Sequence, residues 1–97
     1  MTWIRVIPPP EAGDELRRRY EALYGLYPAE YRQDVEAVRD PATGNSDSIV
    51  GAHSLIPAAM EHAMSAFAVL MTPDLPLTRR QQEMIATVVS AMNSCLY

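Results

Sequence analysis

Lysine is absent from this chain, and all eight cationic side chains are arginine. That bias reads as compositional rather than functional. The one dense basic run, Arg17-Arg18-Arg19, faces acids at i,i+4 spacing, Asp14 to Arg18 and Glu15 to Arg19. Each such pair stabilises a helix by a few tenths of a kcal/mol, so the run is expected to form a solvated helix face. With a net charge of −4 there is little to recommend a phosphate-binding surface, and no nucleic-acid partner is expected. Cysteine is nearly absent too. The single Cys95 excludes an intramolecular disulfide framework, which points to a cytoplasmic protein whose thiol is free or paired to another molecule. Long apolar runs are missing, the longest being Ala66 to Met71, and no basic stretch at the N-terminus leads into an apolar one. Neither a signal peptide nor a membrane span is expected. Glycine and proline together account for only 12 of 97 residues while 48% are apolar, a balance that favours a packed chain over a disordered one. A domain of this size buries only roughly 60–65% of its unfolded surface, so any area shared with a partner would add to a modest stability.

What is present is helical patterning. Residues 2–10 alternate weakly through Trp3, Ile4, Val6 and Ile7, then meet Pro8-Pro9-Pro10, which deny backbone donors and favour extended backbone. This segment, 1–13, reads as an arm. Leu16, Tyr20, Leu23 and Tyr24 recur at helical spacing, and the pattern predicts a helix over 14–25 with Asp14 as N-cap and Gly25 as its stop. Tyr31, Val35 and Val38 mark a shorter helix after Pro28, followed by a turn-rich loop from Asp40 to Asn45. Asp47 is placed to cap a short helix through His53. Pro57 suits the first turn of a longer helix carrying Met60, Ala63, Met64, Phe67, Leu70 and Met71, a stripe that requires burial. Thr72 to Pro76 breaks that helix, and Thr78-Arg79-Arg80-Gln81 has the form of a capping box. The last helix carries Met84, Ile85, Val88, Val89 and Met92 on one continuous face, which is expected to pack with the apolar sets of the two helical segments before it. No sustained period-two alternation appears beyond the arm, and no internal repeat is visible. The chain reads as all-α, one domain over 1–97.

Chemistry centres on Cys95. Ser94 is a possible N-cap for a further helix with Cys95 at its first position, where free amides and the helix dipole favour the thiolate. The alternative is that the preceding helix runs on and Cys95 is a small buried hydrophobe. His53 and His62, nine residues apart with no cysteine or carboxylate pair at ligand spacing, do not suggest a metal site, and His53 is better explained by packing or capping. The methionines at 60, 64, 71, 84 and 92 follow the helix faces as core residues, and Tyr20, Tyr24, Tyr27 and Tyr31 read as core-edge or interface aromatics rather than catalytic phenols.

Several stretches together resemble a known family. They are Trp3 to Pro8, His53 to Met60, Phe67 with Leu70-Met71, Leu77 to Ala86, and Val88 to Tyr97. The chain is similar to the peroxidase-related branch of the alkylhydroperoxidase D and carboxymuconolactone decarboxylase superfamily, with residues 28–45 fitting loosely. The resemblance implies an all-α helical bundle of the alkylhydroperoxidase D type, completed by homo-oligomerisation. It also implies cofactor-independent reduction of hydroperoxides at the expense of a thiol reductant, with no metal. Glu83 and Cys95 stand twelve residues apart, as the family's proton-handling glutamate and first motif cysteine do. A carboxyl in that role is expected to have its pKa raised in an apolar pocket; otherwise Glu83 is an exposed first-turn glutamate favoured by the helix dipole. Twelve residues of straight helix span about 18 Å, so the two require a helix break or an intervening group to communicate.

In the family pattern a second cysteine follows two residues after Leu96, Tyr97 included in the gap, and a histidine lies further on. Neither falls within these 97 residues. The expectation is therefore a family domain lacking its C-terminal part, with Cys95 matching the resolving thiol and the peroxide-attacking position falling at residue 98. One version of that expectation makes residue 98 a selenocysteine encoded by UGA. As it stands the sequence implies a poor peroxidase, since a sulfenic acid on Cys95 has no partner thiol in the chain and needs an external one. Two further readings compete: a non-catalytic helical oligomer, and a decarboxylase-type relative that does without the paired cysteines.

Overall fold

The computed structural model describes residues 3–33, 35–39, 41–42 and 48–95. Among them are three α-helices and no strand: α1 (Asp14–Leu26), α2 (Pro57–Leu70) and α3 (Arg79–Met92), with 3-10 turns between them. The protein is all-α, as its periodicity predicts. Among the described residues no helix is long and apolar enough to cross a membrane.

α1 forms one residue earlier than its capping pattern suggests. Gly13 is the N-cap and Asp14 the first helical residue, so its carboxylate lies beside the free amides of the first turn and 3.9 Å from Arg17. The expected Asp14–Arg18 pair is replaced by this i,i+3 contact, while Glu15 does meet Arg19, at 3.5 Å. Gly25 does not stop the helix. α1 continues through Leu26 and ends where Tyr27 turns extended ahead of Pro28, whose ring disfavours helical backbone in the residue before it. The short helix expected around Tyr31, Val35 and Val38 is instead two 3-10 turns, Ala29–Arg32 and Glu36–Val38, of four and three residues, the short lengths in which 3-10 geometry is usual. Asp40, Asp47 and most of the loop before it lie outside the described residues; the turn expected to end at His53 is a 3-10 segment, Gly51–His53.

The core lies between α1 and α2. Leu16, Tyr20 and Leu23 from α1 meet Met60 and Ala68 from α2, joined by Ala12, Tyr27 and Val50. Leu23, Met60 and Ala68 are fully buried. An aromatic ladder extends this core: Tyr20 stacks on Tyr24, with centroids 5.8 Å apart, and Tyr27 meets Phe67 edge-on at 6.0 Å. Burial pushes the Tyr20, Tyr24 and Tyr27 phenols up from their ordinary value. Arg19 leaves the solvated face expected of its run and bridges to α2, donating to Glu61 Oε2 at 2.6 Å.

The N-terminal segment is more than a free arm. Ile7 N–H donates to Ser54 Oγ at 2.8 Å, and Tyr20 O–H donates to the Ile7 carbonyl at 2.8 Å. A Cβ at Gly51 would sit 2.9 Å from Val6 Cγ1, so a larger residue there would force the N-terminal segment to shift.

The stripe on α2 is only partly buried. Met60 and Met71 are inside and Met64 is half-buried, but Ala63, Phe67 and Leu70 are exposed, and Ala68 takes an inner position in their place. The cause is α3. Its apolar face does not close over α2: Met84, Ile85, Val88, Val89 and Met92 are all 51–81% exposed. The expected packing of the last helix's apolar face onto the others is therefore not made within the chain.

Candidate functional site

α3 begins as its sequence predicts. Thr78 caps it, its hydroxyl accepting from the Gln81 N–H at 3.3 Å while its own N–H donates to Gln81 Oε1 at 2.9 Å. With its apolar face turned outward, α3 is held to the body by polar groups. The buried Gln82 donates through Nε2 to the carbonyls of Leu70 and Thr72, at 3.0 and 3.1 Å, satisfying backbone acceptors at the end of α2. Its Oε1 is buried without a hydrogen-bond partner. Arg79 donates to the Met71 carbonyl at 3.3 Å.

Glu83 is the second anchor. Its Oε1 accepts from the Tyr31 hydroxyl at 2.6 Å and from Arg79 Nε at 2.9 Å, and the Arg79 guanidinium lies 4.7 Å from the centre of the Tyr31 ring. The carboxyl is held below its ordinary value, chiefly by the Tyr31 hydrogen bond, which outweighs the opposing effect of burial, and further by the charge of Arg79 and its hydrogen bond. The direction is opposite to the raised pKa expected for a proton-handling acid in an apolar pocket, because Glu83 is half exposed and its neighbours are the Tyr31 hydroxyl and the Arg79 guanidinium. Tyr31 is pushed up to about 12 by burial and by the carboxylate it donates to. Neither Tyr31 nor Arg79 stood out in the sequence as a partner of Glu83; the only signal was the i,i+4 spacing of Arg79 and Glu83.

Cys95 is a free, exposed thiol. α3 ends at Met92 in a Schellman motif: Ser94 N–H bonds the Ala91 carbonyl at 3.1 Å, and Cys95 N–H reaches back to Ser90 at 2.9 Å. Ser94 occupies the left-handed position, with φ 52°, usually taken by glycine. This overturns both local expectations. Helix α3 does not run on to bury Cys95, and Ser94 does not have the extended backbone of an N-cap. Leu96 and Tyr97 lie outside the described residues.

The structure does not bring Glu83 and Cys95 together within the chain. Unbroken helix from Glu83 to Met92 spans about 14 Å, and Glu83 turns toward Tyr31. Beside them, Phe67, Leu70, Leu77, Ile85 and Val89 line an open apolar groove of about 510 Å³, with Ser90 at its rim. His53 is exposed, its Nδ1 2.7 Å from the Ile49 carbonyl, a backbone-capping contact that requires the proton on Nδ1. Among the described residues no three His, Cys, Asp or Glu side chains are grouped to hold a metal ion. Compared with known proteins, the chain matches no family model, no curated protein and no solved structure.

Proposed function

We propose that the chain is an alkylhydroperoxidase-like redox protein that works as a homo-oligomer, with the Cys95 thiol as its reactive group and hydroperoxides as its oxidants. The observation that carries the reading is the exposed, unpaired Cys95, presented on a tight turn at the end of α3, its N–H bonded to the carbonyl of Ser90, which lines the open apolar groove. Cys95, which the family resemblance matches to the resolving thiol, here takes the attacking role as well: its thiolate attacks the terminal peroxide oxygen, the S–O bond forms as the O–O bond breaks, and the alkoxide leaves as an alcohol after taking a proton. The resulting sulfenic acid condenses with an external thiol, releasing water, and a second thiol reduces the mixed disulfide to restore Cys95. Glu83 enters this reading as an ionised proton-handling carboxylate, held by Tyr31 and Arg79. With one thiol in the chain, turnover is slow.

Thiol-dependent consumption of an alkyl hydroperoxide, followed together with the mass of the Cys95 peptide, tests this. Slow turnover and a one-oxygen adduct, both lost in Cys95→Ser and reduced less in Glu83→Gln, are expected. An unmodified Cys95 and no turnover above buffer would leave the second reading, a helical oligomer without chemistry. The exposed apolar face of α3 and the separation of Glu83 from Cys95 favour that alternative.

A further inference from the structure

The chain exposes 7451 Å² of surface, against about 5,500 Å² for a folded monomer of its 10.8 kDa mass. Its radius of gyration is 14.3 Å, where about 12.5 Å is usual for this length. The excess, roughly 1,900 Å², is more than the ~800 Å² each partner contributes to a stable interface of ordinary size. Five large apolar side chains, each more than half exposed, stand on one helix, α3.

On α3 the side chains of Met84, Val88 and Met92 form one i,i+4 row, with Ile85 and Val89 in the row beside it. Glu83, anchored to Tyr31, lies across the helix from Val88, so the row of Met84, Val88 and Met92 points away from the rest of the chain, while Ile85 and Val89 turn toward the groove beside the end of α2. Charge is distributed unevenly along the same helix. Arg79 and Arg80 stand at its start, and no charged residue follows Glu83. Arg80 is exposed and has no hydrogen-bond or ion-pair partner among the described residues. Arg79 is met by Glu83, but the unpartnered Arg80 at the positive end of a helix dipole is poorly placed unless a source of negative potential comes near, and the carbonyl end of another such helix supplies one.

We propose that α3 pairs antiparallel with α3 of a second copy of this chain, across a two-fold axis beside Val88. This rests on the homo-oligomer reading above and specifies its interface. In an isologous pair the same face serves both copies, and a face with no charge to select a different partner suits one. Met84 of one copy then lies opposite Met92 of the other, and Arg80 of each, next to Met84 on the helix surface, flanks the carbonyl end of its mate. A parallel pair would set four arginines and two positive helix ends together. The exposed Leu70 and Leu77, at the edge of the groove, close around the paired helices.

Light scattering on the 97-residue chain, with far-UV circular dichroism as a control, is the first test. The wild type is expected at twice 10.8 kDa, and Val88→Glu, at an exposed position, at half the wild-type mass with its helix signal unchanged. Orientation is read separately, in chains carrying Cys95→Ser. Met84→Cys mixed with Met92→Cys should form the 84–92 disulfide in preference to 84–84 or 92–92. This second test does not depend on how Val88→Glu folds. A wild-type monomer overturns the proposal and the oligomer reading together, whether its α3 face binds an apolar dye or is covered by other residues of the chain. An oligomer that keeps its mass in a folded Val88→Glu variant overturns the proposed interface alone, as do preferential 84–84 and 92–92 disulfides.

Discussion

α1 and α3 are helices of nearly equal length, 13 and 14 residues, yet they are held by different forces. α1 buries Leu16, Tyr20 and Leu23 against α2, so its place is fixed by apolar burial and close packing. α3 buries one side chain, and that one is polar: Gln82, clamped to the last carbonyls of α2. The comparison separates two ways in which an amphipathic helix can be used. α1 spends its apolar face inside the chain, whereas α3 leaves its apolar side chains more than half exposed and is docked by hydrogen bonds from Gln82 and Arg79.

The largest effect should come from breaking the apolar side of this contrast. Leu23→Ala removes a fully buried side chain and is expected to cost about 2–5 kcal/mol, seen as a lower urea midpoint. Next is Gln82→Ala, which leaves the Leu70 and Thr72 carbonyls without their donor and should cost about 1–3 kcal/mol. Its signature is local: faster amide exchange in α3, with α1 unchanged. Equal loss of protection in both helices would show that α3 is part of the same cooperative core.

A smaller effect, of opposite sign, is expected at the end of α3. Ser94→Gly relieves a left-handed residue at φ 52° and should raise stability by up to about 1 kcal/mol in thermal unfolding. The smallest effect is the pH dependence of the Tyr31–Glu83 link. Because the Glu83 pKa is lowered on folding, its contribution is present above the ordinary value of 4.5 and lost as pH falls through the lowered one. Tyr31 acts at the other extreme: its raised pKa gives a contribution that is complete below 10.0 and lost as pH rises through about 12. In Tyr31→Phe the Glu83 carboxyl, followed by NMR titration, should move back up toward its ordinary value. No movement would mean that Arg79 alone sets it.

How legible these features were in the sequence follows from their range. The capping box at Thr78 and Gln81 is a contact three residues long, and spacing alone reveals it. The periodicity of Leu16, Tyr20 and Leu23 likewise located the inner face of α1. The same reasoning failed for α3, because periodicity shows that a face is apolar but not whether this chain supplies its cover. Contacts between residues far apart were illegible for a related reason. Arg19 looked paired within its own helix but makes its closest bridge to Glu61, and Tyr31, 52 residues from Glu83, reverses the expected direction of its pKa. At the candidate site, the solvent access of Cys95 depended on where α3 ends. That is set by a serine in a conformation serine seldom adopts, so the composition around Asn93-Ser94 suggested an interruption without giving its geometry.

The contrast between α1 and α3 is tested most directly by hydrogen exchange at two protein concentrations, one well below and one well above the range over which the chain associates. If α1 is covered by its own chain and α3 by a second copy, protection in Met84 to Met92 should rise with concentration while protection in Leu16 to Leu23 does not. Protection in α3 that is high and independent of concentration would contradict this account.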